Sequence, residues 1–204
     1  MMEKLIVFVE EFSMEAALER LLPNLIGDLE YQIIRFQCKD DLLKQAPIRL
    51  RAYASWLPEG WRILVLVDRD DDNCVALKAI LEQMAAAAGL RTKTAAGIGR
   101  RFQVVNRIAI EELESWFFGD WQAVQAAYPR VPATIPQKAS FRDPDAIAGG
   151  TWEALERVLK KAGYFSTGIR KLELARAIAS EMVPNRNNSR SFQAFANAIA
   201  AAMV

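Results

Sequence analysis

Leu64-Val65-Leu66-Val67 runs without a polar residue and then stops at Asp68-Arg69-Asp70-Asp71-Asp72, four carboxylates in five positions. Four aliphatics bounded by so sharp a polar break read as a strand buried on both faces. Such a strand commits the chain to a sheet covered by helices on either side. In open α/β sheets, ligands bind at the carboxyl ends of these strands. On an extended backbone Asp68 and Asp70, two apart, point the same way about 6–7 Å along the strand. Carboxylates that close repel one another, and a shared cation relieves them. The stretch therefore predicts a divalent-metal site. The alternative is a solvated loop whose Asp72 or Asn73 caps the next helix, a role that needs one carboxylate and not four.

The rest of the chain repeats this alternation. Residues 4–9 read as a buried strand ended by Glu10 and Glu11. Ser13 is placed to cap a helix with Ala17, Leu18, Leu21, Leu22 and Leu25 on its apolar face, kinked or shortened at Pro23. Strands are expected at 29–37, 61–67, 91–96 and 102–110, and helices at 39–56 (broken near Pro47), 73–88 (closed by Gly89) and 111–127. Strands alternating with helices predict an α/β fold, a mostly parallel, Rossmann-like sheet flanked by helices. Pro129, Pro132, Pro136 and Pro144, then Gly149-Gly150, mark a long connection. The expected organisation is an α/β domain over 1–127, a Pro/Gly-rich connection over 128–150 and a small helical region over 151–204 packed on the sheet. Its helices fall at 151–162, 169–182 and 191–203.

Composition closes several routes. The 204 residues include no histidine, which removes His-based triads, His-ligated zinc and His general bases. Acid–base or metal chemistry here must come from carboxylates and lysines. Lys and Arg number 26 against 25 Asp and Glu, a net charge of +1, so no global field argues for nucleic acid or membrane. The first apolar run is too short for a signal peptide, and no run approaches the ~20 residues of a membrane span. Cys38 and Cys74 suggest no disulfide framework. The expectation is a cytoplasmic protein with no membrane segment.

Three acidic clusters fall where strands meet helices: Glu10, Glu11 and Glu15; Asp68, Asp70, Asp71 and Asp72; and Glu111, Glu112 and Glu114, with Asp120 further on. For Glu15 and Glu112 the helix dipole alone is a sufficient reason, worth a few tenths of a kcal/mol to ~1. Three clusters on one sheet edge point to a shared site. At these residues a resemblance becomes visible. A strand ending in Glu (LIVFVEEFSMEAAL) and a later strand ending in Asp-x-Asp (LVLVDRDDD) are similar to the Toprim signature of topoisomerases, primases and the overcoming-lysogenisation-defect nucleases. AIEELESWFFGD and the closing NRNNSRSFQAF look like segments of Toprim-like bacterial proteins of uncharacterised function, often encoded beside ABC-type ATPases. Glu11 stands where a Gly often follows the Toprim glutamate.

The resemblance implies roles residue by residue. Glu10 matches the Toprim glutamate, a metal ligand or general acid/base. Asp68 and Asp70 match the metal-binding aspartates, with Asp72 reaching the ion through water. Glu114 precedes the Trp-rich segment, and Glu111 lies one helical turn before it, on the same face. Glu15 lies behind them. Hard oxygen ligands favour Mg²⁺ or Mn²⁺ over zinc, and two such ions activate a water and stabilise the leaving oxygen of a phosphodiester. Arg100 and Arg101 in a Gly-rich loop, and Arg186, Arg190, Ser189 and Ser191 around the last helix, are candidates for phosphate. Arg170 and Lys171 open the helix before it, with Lys171 the candidate for developing charge. Each of these cations also suits a solvated surface. Trp116, Phe117 and Phe118 read as core, and Cys74 as structural.

Two functions follow, with phosphoryl or nucleotidyl transfer on a small nucleotide as a third. One is metal-dependent phosphodiester hydrolysis on DNA or RNA beside an ATPase partner. The other is a non-catalytic module whose acidic site takes a cation or a partner, whether an ATPase or a second copy in a homodimer. No Walker-type loop is present, so the chain is not expected to be an ATPase itself.

Overall fold

Four apolar segments pair side by side in the computed structural model, which describes residues 1–165, 168 and 170–204. In chain order these are β1 (Lys4–Val9), α1 (Phe12–Ile26), β2 (Glu30–Arg35), α2 (Lys39–Ala54), β3 (Trp61–Asp68), α3 (Cys74–Ala87), α4 (Lys93–Ala96), β4 (Val104–Ala109), α5 (Glu114–Gly119), α6 (Trp121–Ala127), α7 (Thr151–Lys161), α8 (Lys171–Glu181) and α9 (Arg190–Met203). The strands lie in the order β2-β1-β3-β4 and every pair is parallel. This is the α/β, Rossmann-like architecture expected from the alternation.

Strand periodicity divides the core into two layers. Leu5, Val7, Val9, Leu64, Leu66, Val105 and Ala109 face one cluster, and Ile6, Phe8, Ile63, Val65, Val67, Val104 and Ile108 face the other. Helices α2 and α3 cover the second face through Leu42, Ala46, Leu50, Leu77 and Leu81. The first face is covered by α1 and α5–α9, whose buried residues form one continuous cluster from Met2 to Ala202. The C-terminal helices are thus a layer of the main core: α8 packs along α1, and α9 on β4 and α1.

Local chemistry explains where the elements depart from expectation. Residues 91–96 make one bridge, Thr92 to Val104, and no strand; the Thr92 hydroxyl accepts from Ala95 N at 3.1 Å and starts the short α4 instead. Pro23 and Pro47 sit inside continuous helices, because buried residues on both sides (Leu21, Leu22 and Ile26; Leu42, Ala46 and Leu50) anchor each helix to the sheet. Ser13 does not cap α1. Glu11 holds the cap position and Ser13 Oγ donates to its carboxylate. Asn73 caps α3, accepting from Val75 N and Ala76 N at 3.0 Å. The helix expected over 111–127 starts only at Glu114 and breaks at Asp120. The 128–150 connection holds three short 3₁₀ turns. The start at 169 expected for α8 lies outside the described residues.

Candidate functional site

The connection leaving β1 runs outward to β2 and that leaving β3 runs the other way to β4. Their carboxyl ends therefore flank the topological switch point, where doubly wound sheets open a crevice. Glu10 follows β1 directly and Asp68 ends β3. Asp68 N–H donates to Glu10 Oε1, joining the two acidic clusters across the crevice. The cavity here has a volume of about 480 Å³ and is lined by Glu10, Glu11, Lys39, Asp68, Asp70 and Lys171, among others.

Burial governs the electrostatics. Glu10 and Asp68 are each 5% exposed and Glu114 is fully buried. Burial raises Glu10 to about 7, against the lowering effect of the Asp68 N–H and Lys39. Burial also pushes Asp68 well above its ordinary value, and Glu10 and Glu11 push it further the same way. Glu114 is raised to about 7 by burial, which outweighs the pull of Lys171. Among the described residues, Asp68 Oδ1 and both oxygens of Glu114 have no hydrogen-bond partner. Buried polar atoms are ordinarily paired, since each orphan costs roughly 1–3 kcal/mol.

Two ammonium groups supply the counter-charge. Lys171, at the start of α8, places Nζ 3.9 Å from both Glu11 and Glu114 and 4.9 Å from the centre of the Trp152 ring. Lys39, at the start of α2, donates to Asp70 Oδ2 at 2.6 Å, to Asp72 Oδ2 at 2.8 Å and to the Arg69 carbonyl at 3.1 Å. Burial works against its charge, but Asp70 and Asp72 hold it above its ordinary value. Sequence reasoning missed Lys39. The available signal was position: it follows β2 and opens a helix, the same kind of junction that carries the acidic clusters.

Several sites sit elsewhere than expected. Asp70 does not extend the strand beside Asp68. The chain turns at Arg69 and Asp70, whose N–H groups both donate to the Glu111 carbonyl at 2.9 and 3.0 Å. Asp70 takes a left-handed φ of 49° and leads its carboxylate out to Lys39. Glu111 and Glu114 share no helical face, because Glu111 precedes α5 and pairs with Arg69 at 3.4 Å. Glu15 pairs with Arg35 at 3.0 Å. Arg100 and Arg101 precede β4, and Arg101 pairs with Glu59, which precedes β3. In an all-parallel sheet, residues before a strand and residues after one lie on opposite edges, so this loop is remote from the carboxylates. Arg190 pairs with Asp143. Ser191 is buried, its hydroxyl accepting from Trp116 Nε1 at 3.0 Å and its N–H donating to Asp145 at 2.8 Å. It fastens the closing segment to α5, as do Asn187 on the Trp116 carbonyl at 2.8 Å and Arg186 on Asp120 at 2.6 and 2.9 Å. A Cβ at Gly119 would collide with Asn187, so ESWFFGD and NRNNSRS form one latch.

The donor chemistry fits a hard divalent cation: carboxylates dominate the lining, and Asp68 Oδ1 is buried with no hydrogen-bond partner among the described residues. As placed, no three such groups among the described residues stand in a ligating arrangement, since Lys39 takes up Asp70 and Asp72. Glu10 and Asp68 are the residues that would hold an ion.

Among the described residues, no helix is long and apolar enough to cross a membrane. No curated protein matches the chain. The structure is similar to that of the C-terminal region of the Burkholderia pseudomallei OLD protein, with a TM-score of 0.50, 16% identity and 100% of each chain covered. At that identity the likeness shows the fold alone. A family model described as a domain of unknown function, DUF4276, matches residues 9–200, nearly the whole length, and the chain belongs to that family.

Proposed function

We propose that this protein is a metal-dependent phosphodiesterase of the Toprim-like type, acting on DNA or RNA beside an ATPase partner. The observation that carries the reading is the buried carboxylate set at the switch point, with Asp68 Oδ1 and both Glu114 oxygens lacking a hydrogen-bond partner among the described residues. A solvated acidic loop would not keep them so. Glu10 and Asp68 would hold Mg²⁺ or Mn²⁺, which supplies an activated water and charge stabilisation at phosphorus. In the metal-free protein the Glu10 carboxyl lies near 7, so an ion held there would displace its proton at neutral pH. The Lys171 ammonium, set between Glu11 and Glu114, is placed to stabilise developing negative charge. Trp152 beneath it fixes its direction.

The test is cleavage of single- and double-stranded DNA and RNA with Mg²⁺ or Mn²⁺. Asp68→Asn should reduce the rate by about 10³-fold, the scale for losing a preorganised electrostatic group. Cleavage retained by Asp68→Asn sinks the reading.

One observation favours a second reading, a non-catalytic binding module: Lys39 already neutralises Asp70 and Asp72. It predicts no cleavage by the wild type under any metal, and partner association that survives Glu10→Ala.

A further inference from the structure

Helix α7 runs from beside the carboxylate cavity, which Glu112 lines, to a second pocket. At its first turn Thr151 Oγ1 and Trp152 N donate to Glu112 at 2.9 Å, and Trp152 underlies Lys171. Its far half, with the 128–150 connection, lines a pocket of about 280 Å³. Ile135, Phe141 and Val158 supply apolar surface there. Four cations line it, Arg130, Lys138, Arg157 and Lys161, and no carboxylate among the described residues does. Arg130 is fixed, donating to the Gly163 carbonyl at 2.8 Å with its guanidinium 4.1 Å from the centre of the Tyr164 ring. The other three cations are exposed.

A second feature specifies the shape of the occupant. Phe141 lies 5.3 Å from Phe118 at 9°, and Phe118 lies 5.4 Å from Trp121 at 17°. Three rings thus stack in sequence, and Phe141, the half-buried end of the stack, lines the pocket. A planar aromatic group extends such a stack, and cations beside it select one that carries negative charge.

We propose that this pocket is a nucleotide site, with the base stacked on Phe141 and a phosphate held by Lys138, Arg157 and Lys161. The source of the nucleotide rests on the nuclease reading: a strand crossing the carboxylate cavity continues along α7. Nine residues separate Trp152 from Lys161, a rise of roughly 13 Å, which one strand of a duplex covers in roughly four nucleotides. A free mononucleotide offers the same chemistry, and the test separates the two.

Fluorescence anisotropy on the full chain, in EDTA to prevent divalent-dependent cleavage, would compare a labelled oligothymidylate of about 20 nucleotides with a labelled mononucleotide. Lys138→Glu/Lys161→Glu should weaken oligonucleotide binding at least about tenfold and flatten its salt dependence by about 0.7 log units per log unit, one phosphate contact on a single strand. Phe141→Leu should weaken it about fivefold with the salt dependence unchanged, since stacking is lost and charge is not. Melting curves confirm that each variant folds. Tighter binding of the oligonucleotide identifies a strand, and equal binding with mutual competition identifies a free nucleotide. The proposal is overturned if neither probe binds the wild type, or if the variants bind both as the wild type does. Pocket-dependent binding in a protein that cleaves nothing would remove the nuclease reading and leave the pocket. Asp68-dependent cleavage in a protein whose pocket variants bind normally would do the reverse.

Discussion

Glu114 and Asp120 lie six residues apart in one segment, both essentially out of reach of solvent, and they are treated oppositely. Asp120 accepts Val183 N at 2.9 Å and two nitrogens of Arg186, so both its oxygens are paired. Glu114 has no hydrogen-bond partner among the described residues, a lysine 3.9 Å away and a carboxyl near 7. A chain able to satisfy one buried acid so fully leaves the other unsatisfied at the edge where ligands bind. Asp120 belongs to the architecture, and under the proposed function Glu114 serves the site.

The largest effect that would break this comparison is at Asp120. Asp120→Ala removes the acceptor of Val183 N and of two nitrogens of the partly exposed Arg186, and with it a fastening between α5 and the closing segment, and should cost about 3 kcal/mol in urea unfolding. A loss below about 1 kcal/mol would place Asp120 outside the architecture.

Next in size is pH. Glu10 and Glu114 release protons near 4.5 in the unfolded chain and near 7 when folded. Between those values the folded state binds more protons, so stability falls as pH rises. A carboxyl carried the whole way contributes on the order of 3 kcal/mol. Melting temperature should drop from pH 4.5 to 7.5 in metal-free protein, and Mn²⁺ should reduce the drop by stabilising the ionised carboxylates. A rise with pH would remove the site from consideration.

Glu114→Met is smaller and opposite in sign to Asp120→Ala. Replacing two orphaned oxygens by an apolar chain of similar size should stabilise metal-free protein by about 1–3 kcal/mol at pH 8, and should shrink the pH-dependent fall. Smallest is Lys39→Met. Its partners are half exposed, so the stability loss should stay below about 1 kcal/mol, while the Mn²⁺-induced rise in melting temperature should grow because Asp70 and Asp72 are released. An unchanged Mn²⁺ response would mean that Lys39 does not compete for the ion.

What was legible in the sequence was local. Periodicity marked β1, β3 and β4 and the α/β class, because a strand buried on both faces leaves a run of aliphatics that neighbouring positions alone express. The carboxylates at the ends of β1 and β3 were legible for the same reason. Trp116–Phe118 read as core from their clustering, and Asn73 as a cap from its place before an apolar run. Which acids meet was decided by the tertiary structure. Asp68 meets Glu10 because strand order sets β1 beside β3. Asp70 leaves through a backbone turn tied to Glu111, and Lys39 reaches it from another strand-to-helix junction. Arg101 falls on the far edge because it precedes its strand, and Ser191 is taken by Trp116 and Asp145. Periodicity records what each residue's own element buries. Strand order and the pairing of distant charges depend on how elements pack, which no local pattern carries.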